Sequence, residues 1–302
     1  MYVWIIKFIT LIGTMLSSLV YNFHKPIKGI KTKHNLKYKK KANRYNRLDV
    51  HFQKEQSEKL KPCIIYFHGG GWTSYSKSIY TTLCRRFANM GYVVFNVNYG
   101  LAPIYKMDDI VSDAISAIKF VREIAKEYGG DPDKITLAGD SAGAHISSLV
   151  TGMVNCGKID FPELKGKIKS LILLYGVYDL DTTYVSGFPN IRTYLRSSLS
   201  GKMKDKAENR YFSSIDYVSS DFPPVFMASG QIDKLHKSQS AVMEKKLEEC
   251  GVNVEKLFFA KKELRAMHAY MIFDGLETNV ETLNHIEKFL KGVYEKWQLH
   301  LF

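Results

Sequence analysis

The chain has 302 residues, 45% of them apolar and 24% charged, with eight prolines and 21 glycines. That composition suits a folded protein with a large core and excludes a collagenous, low-complexity or wholly disordered chain. The four cysteines, Cys63, Cys84, Cys156 and Cys250, stand far apart, which excludes a disulfide-dense scaffold and argues against a zinc finger.

The net charge of +13 is unevenly placed. Residues 1–48 carry eleven Lys/Arg and no Asp or Glu, whereas the other 254 residues carry 32 basic and 30 acidic side chains. The body is nearly neutral, so a nucleic-acid surface is not expected. Residues 1–23 are apolar apart from Lys7 and a few small polar residues, long enough for a bilayer span of about 20 residues. They read as an uncleaved membrane anchor in preference to a signal peptide, since no A-x-A-like site follows; a buried helix is the third option. Residues 24–47 follow as a lysine-rich tether, whose charge bias places the large domain on the cytoplasmic side, with a secreted or surface-exposed domain as the alternative.

From residue 48 onward short β-rich runs alternate with helical ones. Strands are expected at 48–52, 63–69, 92–99, 135–141, 170–176, 225–230 and 254–260, and helices at 77–90, 108–128, 142–154, 237–250 and 279–297. This alternation predicts an α/β fold with a mostly parallel sheet covered on both faces. Residues 179–222 break the pattern with aromatic and polar residues of no clear period. Such an insert is expected over the strand ends, where ligands bind.

Two motifs carry chemistry. Gly139-Asp140-Ser141-Ala142-Gly143 joins an expected strand to an expected helix. A serine on such a turn is strained and points its hydroxyl off the sheet, so its neighbours two positions away must be small. The helix start then offers N–H groups to a developing oxyanion. Asp140 reads as bracing this turn. His68-Gly69-Gly70-Gly71-Trp72 ends an earlier strand, and three consecutive glycines suit a backbone that must approach a ligand closely. His68 reads as a brace for that loop, and Trp72 as either pocket lining or cover.

Together these motifs resemble the α/β-hydrolase fold, in particular the HGGG esterase group that includes hormone-sensitive-lipase-like carboxylesterases. Asn98-Tyr99-Gly100-Leu101-Ala102-Pro103 is similar to that group's DYRLAP segment, with Gly100 in place of the usual arginine. The stretches 127–135 and 141–145 are similar to the feruloyl/acetyl-xylan esterase and arylformamidase branch. The resemblance spans roughly residues 48–295.

It implies the chain order Ser, then Asp or Glu, then His. Downstream of Ser141, His145 lies on the helix behind the serine, His236 is too close to Asp233 to act as the base if Asp233 orients it, His285 falls within a helix pattern and His300 in the tail. His268 follows a strand and a loop, so it is the expected base. Asp233, in a loop after the strand 225–230, is the expected orienting carboxylate; Asp179 and Asp181 are rivals read as capping residues. The resemblance also implies that Gly70, Gly71 and Ala142 supply the oxyanion N–H groups.

The expected function is serine-based hydrolysis of small to medium acyl esters through an acyl-serine, with no metal or organic cofactor required. An arylformamidase-like amide hydrolase is the alternative, and a non-catalytic hydrolase-fold module the third reading.

Overall fold

A computed structural model of the chain describes residues 26–55, 58–200 and 206–299. Among the described residues eight strands form one sheet in the order β1-β2-β4-β3-β5-β6-β7-β8. These are β1 (Ile30–Lys37), β2 (Arg47–Gln53), β3 (Lys61–Phe67), β4 (Val93–Val97), β5 (Gly130–Asp140), β6 (Ile168–Leu174), β7 (Val225–Gly230) and β8 (Val254–Phe259). β2 runs antiparallel to β1 and β4, and β3 to β8 are parallel. β4, β7 and most of β3, β5 and β6 are buried, as strands covered on both faces must be.

The α-helices among the described residues are α1 (Thr81–Asn89), α2 (Met107–Ile124), α3 (Ala142–Asn155), α4 (Leu180–Val185), α5 (Ile191–Ser198), α6 (Lys206–Tyr211), α7 (Ala241–Glu249) and α8 (Glu277–Leu299). One core cluster joins Ile110 and Ile118 of α2, Leu149 of α3 and Leu247 of α7 to one face of the sheet. The other joins Leu83 and Phe87 of α1 to Ile286 and Phe289 of α8 on the opposite face. The fold is that of the α/β-hydrolases, as expected.

Two expectations need correction. Part of the basic stretch read as a tether is β1, an exposed edge strand whose Lys31, Lys33 and Lys37 point outward. Lysines on an edge discourage pairing with other chains, and here their charge masked the strand signal. The segment after β1 is fixed too: Tyr38 Oη donates to Asn98 O at 2.7 Å, and Lys39 pairs with Asp113, which also accepts the Gly100 N–H. Second, a membrane-anchored protein is not supported. Among the described residues no helix is long and apolar enough to cross a membrane, and residues 1–23, which carried that expectation, lie outside them.

Candidate active site

Ser141 sits between β5 and α3 with φ 50° and ψ −115°, a left-handed backbone that a non-glycine residue adopts only under constraint. Its N–H donates to Leu174 O of β6 at 2.9 Å, and its carbonyl accepts from His145 N–H at 3.1 Å. The flanking glycines are sterically required. A Cβ on Gly143 would lie 1.9 Å from Phe67 O, and one on Gly139 would lie 2.4 Å from Gly143 C.

The loop after β3 runs directly over this turn. Gly70 and Gly71 have φ of 108° and 57°. Gly70 O accepts from Thr73 N–H, Ser74 N–H and Ser74 Oγ–H, closing the loop on itself. His68 is fully buried: its Nδ1–H donates to Gly69 O at 2.7 Å and its ring stacks on Tyr99 at 4.3 Å. Burial pushes its pKa down to about 4, so it is a neutral brace near neutral pH. Trp72 is also buried and donates Nε1–H to His145 Nδ1 at 3.3 Å, while His145 Nε2–H donates to Phe212 O at 2.7 Å. With both ring nitrogens engaged, His145 joins the glycine loop, α3 and the insert, and is held neutral by burial.

Asp233 and His268 arrive from the loops after β7 and β8. Asp233 Oδ1 accepts from Leu235 N–H at 2.9 Å, and its Oδ2 accepts from His268 Nδ1–H at 2.6 Å. That bond leaves His268 Nε2 as the acceptor facing Ser141 Oγ, 2.9 Å away. The line Asp233–His268–Ser141 is therefore continuous. The rival carboxylates are occupied elsewhere: Asp179 Oδ1 caps α4 through Asp181 N–H and Thr182 N–H, and Asp181 accepts from Asn209. His236 bonds Ser229 Oγ.

Gly230 is a site residue with no distinguishing signal in the sequence. A Cβ there would lie 2.0 Å from Ala266 O, so glycine is what lets the His268 loop approach β7.

The serine opens into a cavity of about 120 Å³ lined by Gly70, Gly71, Trp72, Tyr75, Ala142, Val177, Phe188, Ile191, Tyr194 and Leu235. The insert does lie over the strand ends, since Phe188, Ile191 and Tyr194 belong to it. Trp72, itself buried, is among the residues around the cavity. Tyr175 packs on His268, Tyr178 is core, and Tyr184 carries the guanidinium of Arg192 on its ring. Among the described residues no group of three or more His, Cys, Asp or Glu is arranged to hold a metal.

A family model, BD-FAE, matches residues 48–247. The chain belongs to the BD-FAE family. The BD-FAE match includes the glycine loop, Ser141 and Asp233 but ends before His268. The probable carboxylic ester hydrolase LipM of Mycobacterium tuberculosis is 29% identical over 185 residues, which are 60% of this chain and 43% of LipM. Human arylacetamide deacetylase-like 2 is 35% identical over 141 residues, covering 45% of this chain and 34% of that protein. The chain thus aligns with less than half the length of these curated relatives. Among solved structures, inhibited esterase B from Lactobacillus rhamnosis superposes with a TM-score of 0.85 over 99% of both chains at 18% identity. This likeness in fold also takes in β8, the His268 loop and α8.

Proposed function

We propose that this protein is a serine carboxylic-ester hydrolase. The reading rests above all on the unbroken hydrogen-bonded line from Asp233 through His268 to Ser141, which opens into an apolar cavity beside the glycine loop.

In this mechanism His268 Nε2 takes the Ser141 proton as Oγ attacks the ester carbonyl. Asp233 holds the tautomer with Nδ1–H and stabilises the imidazolium. The N–H groups of Gly70, Gly71 and Ala142 receive the oxyanion; Ala142 adds the positive end of the α3 dipole. His268 then protonates the departing alcohol, and water, activated by the same imidazole, releases the acid from the acyl-serine. The names of LipM and esterase B support an ester as substrate.

Amide hydrolysis is the second reading, supported by the deacetylase relative. Parallel assays on p-nitrophenyl butyrate and N-formylkynurenine separate the two, with faster ester turnover expected. A preference for the formamide would reverse the ranking. A non-catalytic role is disfavoured by the presence and contact of both Ser141 and His268. Ser141→Ala is expected to abolish ester hydrolysis, and full activity in that variant would overturn the proposal.

A further inference from the structure

Asp140, beside the nucleophile, does more than brace its own turn. Its carboxylate is fully buried and lies against the glycine loop. Oδ1 accepts from Gly69 N–H at 2.8 Å and from Tyr66 Oη–H at 3.1 Å, and Oδ2 accepts from Tyr80 Oη–H at 2.8 Å. The fit is close, for a Cβ on Gly69 would lie 2.5 Å from Oδ2. No Lys or Arg among the described residues forms an ion pair with it. Among the described residues its hydrogen-bond donors are one amide and two phenols. A buried carboxylate of this kind costs free energy, and that cost is reduced only while its donors are in place.

We propose that Asp140 is a positioning residue: seated on Tyr66 and Tyr80, its carboxylate holds Gly69 and thereby aims the Gly70 and Gly71 N–H groups at the cavity. The proposal rests on the hydrolase reading above. It makes the nucleophile turn and the glycine loop one unit, since the residue before Ser141 fixes the residue before Gly70.

A dependence on pH follows. The groups facing this carboxyl are Tyr66 from β3, Tyr80 and Cys84 from the turn Lys77–Tyr80 and α1, Tyr99 after β4, Tyr175 after β6, and His268. Burial raises the Tyr and Cys groups above their ordinary values, so they remain neutral. Burial also lifts the Asp140 carboxyl to about 6, against the lowering effect of Tyr80 and Tyr66. Below that pH the carboxyl gains a proton, becomes a donor itself, and loosens its hold on the loop. The acidic limb of activity then includes the protonation of Asp140.

The test is the pH profile of kcat/KM on p-nitrophenyl butyrate for the wild type, Tyr80→Phe and Asp140→Asn. Tyr80→Phe removes a donor that favours the ionised carboxylate, so its acidic limb should move to higher pH. Asp140→Asn presents an NH₂ group where acceptors are needed; kcat should fall by about tenfold to 100-fold with KM little changed. Its acidic limb should be less steep than that of the wild type. If that variant fails to fold, the milder Tyr80→Phe carries the test. An active wild type whose limb is unmoved in Tyr80→Phe would overturn this proposal alone, whereas a wild type inert to esters would sink the hydrolase reading and this proposal with it.

Discussion

The imidazole of His268 meets the ring of Phe188 edge-on, with centroids 4.6 Å apart. Tyr175 approaches the same imidazole at 5.1 Å. Phe188 comes from the insert and Tyr175 from the end of β6, so two aromatic walls limit the swing of a side chain on a long loop. Phe188 is only half-buried, and truncating it should leave the core intact. Phe188→Ala is therefore expected to lower kcat by about threefold to tenfold through a less well-placed base, with a melting temperature within about 2 °C of wild type. Steady-state kinetics and a thermal melt on one preparation check both halves.

The cavity beside Ser141, about 120 Å³, is smaller than the ~150 Å³ hole that holds a benzene ring in an engineered core. Acetyl to butyryl groups should fit and octanoyl should not. Tyr194, whose ring lies 2.7 Å from where a Gly71 Cβ would be, closes one wall. Tyr194→Ala should raise the ratio of octanoate to butyrate kcat/KM about tenfold. A series of p-nitrophenyl esters of increasing length measures this directly.

Gly143→Ala places a methyl group 1.9 Å from Phe67 O, a backbone atom inside the sheet that cannot turn away. Overpacking against fixed backbone should cost at least about 3 kcal/mol. At about 2–4 °C per kcal/mol for a chain this size, the melting temperature should drop by roughly 6–12 °C. Gly157→Ala is a control, since nothing lies near its Cβ position and only its left-handed φ of 76° opposes the change. It should cost about 1 kcal/mol.

Stability should fall in mild acid. Burial holds His68 and His145 down to about 4, and His51 to about 3, against about 6.5 in the unfolded chain. As pH drops below about 6.5 the unfolded chain binds protons that the folded chain refuses, so each imidazole withdraws stability until its folded pKa is reached. Asp140 acts in the opposite sense. Its folded value of about 6 exceeds an unfolded value near 3.9, so the folded chain binds that proton first and gains stability between those limits. Three imidazoles outweigh one carboxyl at about 1.4 kcal/mol per unit. The urea midpoint should therefore be lower at pH 4.5 than at pH 7.

Much of the candidate site was legible because the residues proposed for its chemistry sit at strand ends. Ser141 is marked by two small neighbours on a strand-to-helix turn, and Asp233 and His268 by their places after β7 and β8. What escaped sequence reading depends on distant contacts. Tyr66 and Tyr80 converge on Asp140 across intervals of 74 and 60 residues, and nothing local sets them apart from other core tyrosines. Gly230 is one glycine among 21, and only the approach of Ala266 explains it. β1 was hidden because its lysines and histidine lie where an inner strand would be apolar. The three short helices of the insert, α4 to α6, carry too few turns for their period to show.

The most direct test of the central claim is covalent. A fluorophosphonate probe reacts with a serine only when a neighbouring base has activated it. Digestion and mass spectrometry of the labelled wild type should place the adduct on Ser141, and His268→Ala should remain unlabelled while folded. An adduct on any other serine, or undiminished labelling of Ser141 without His268, would contradict the account.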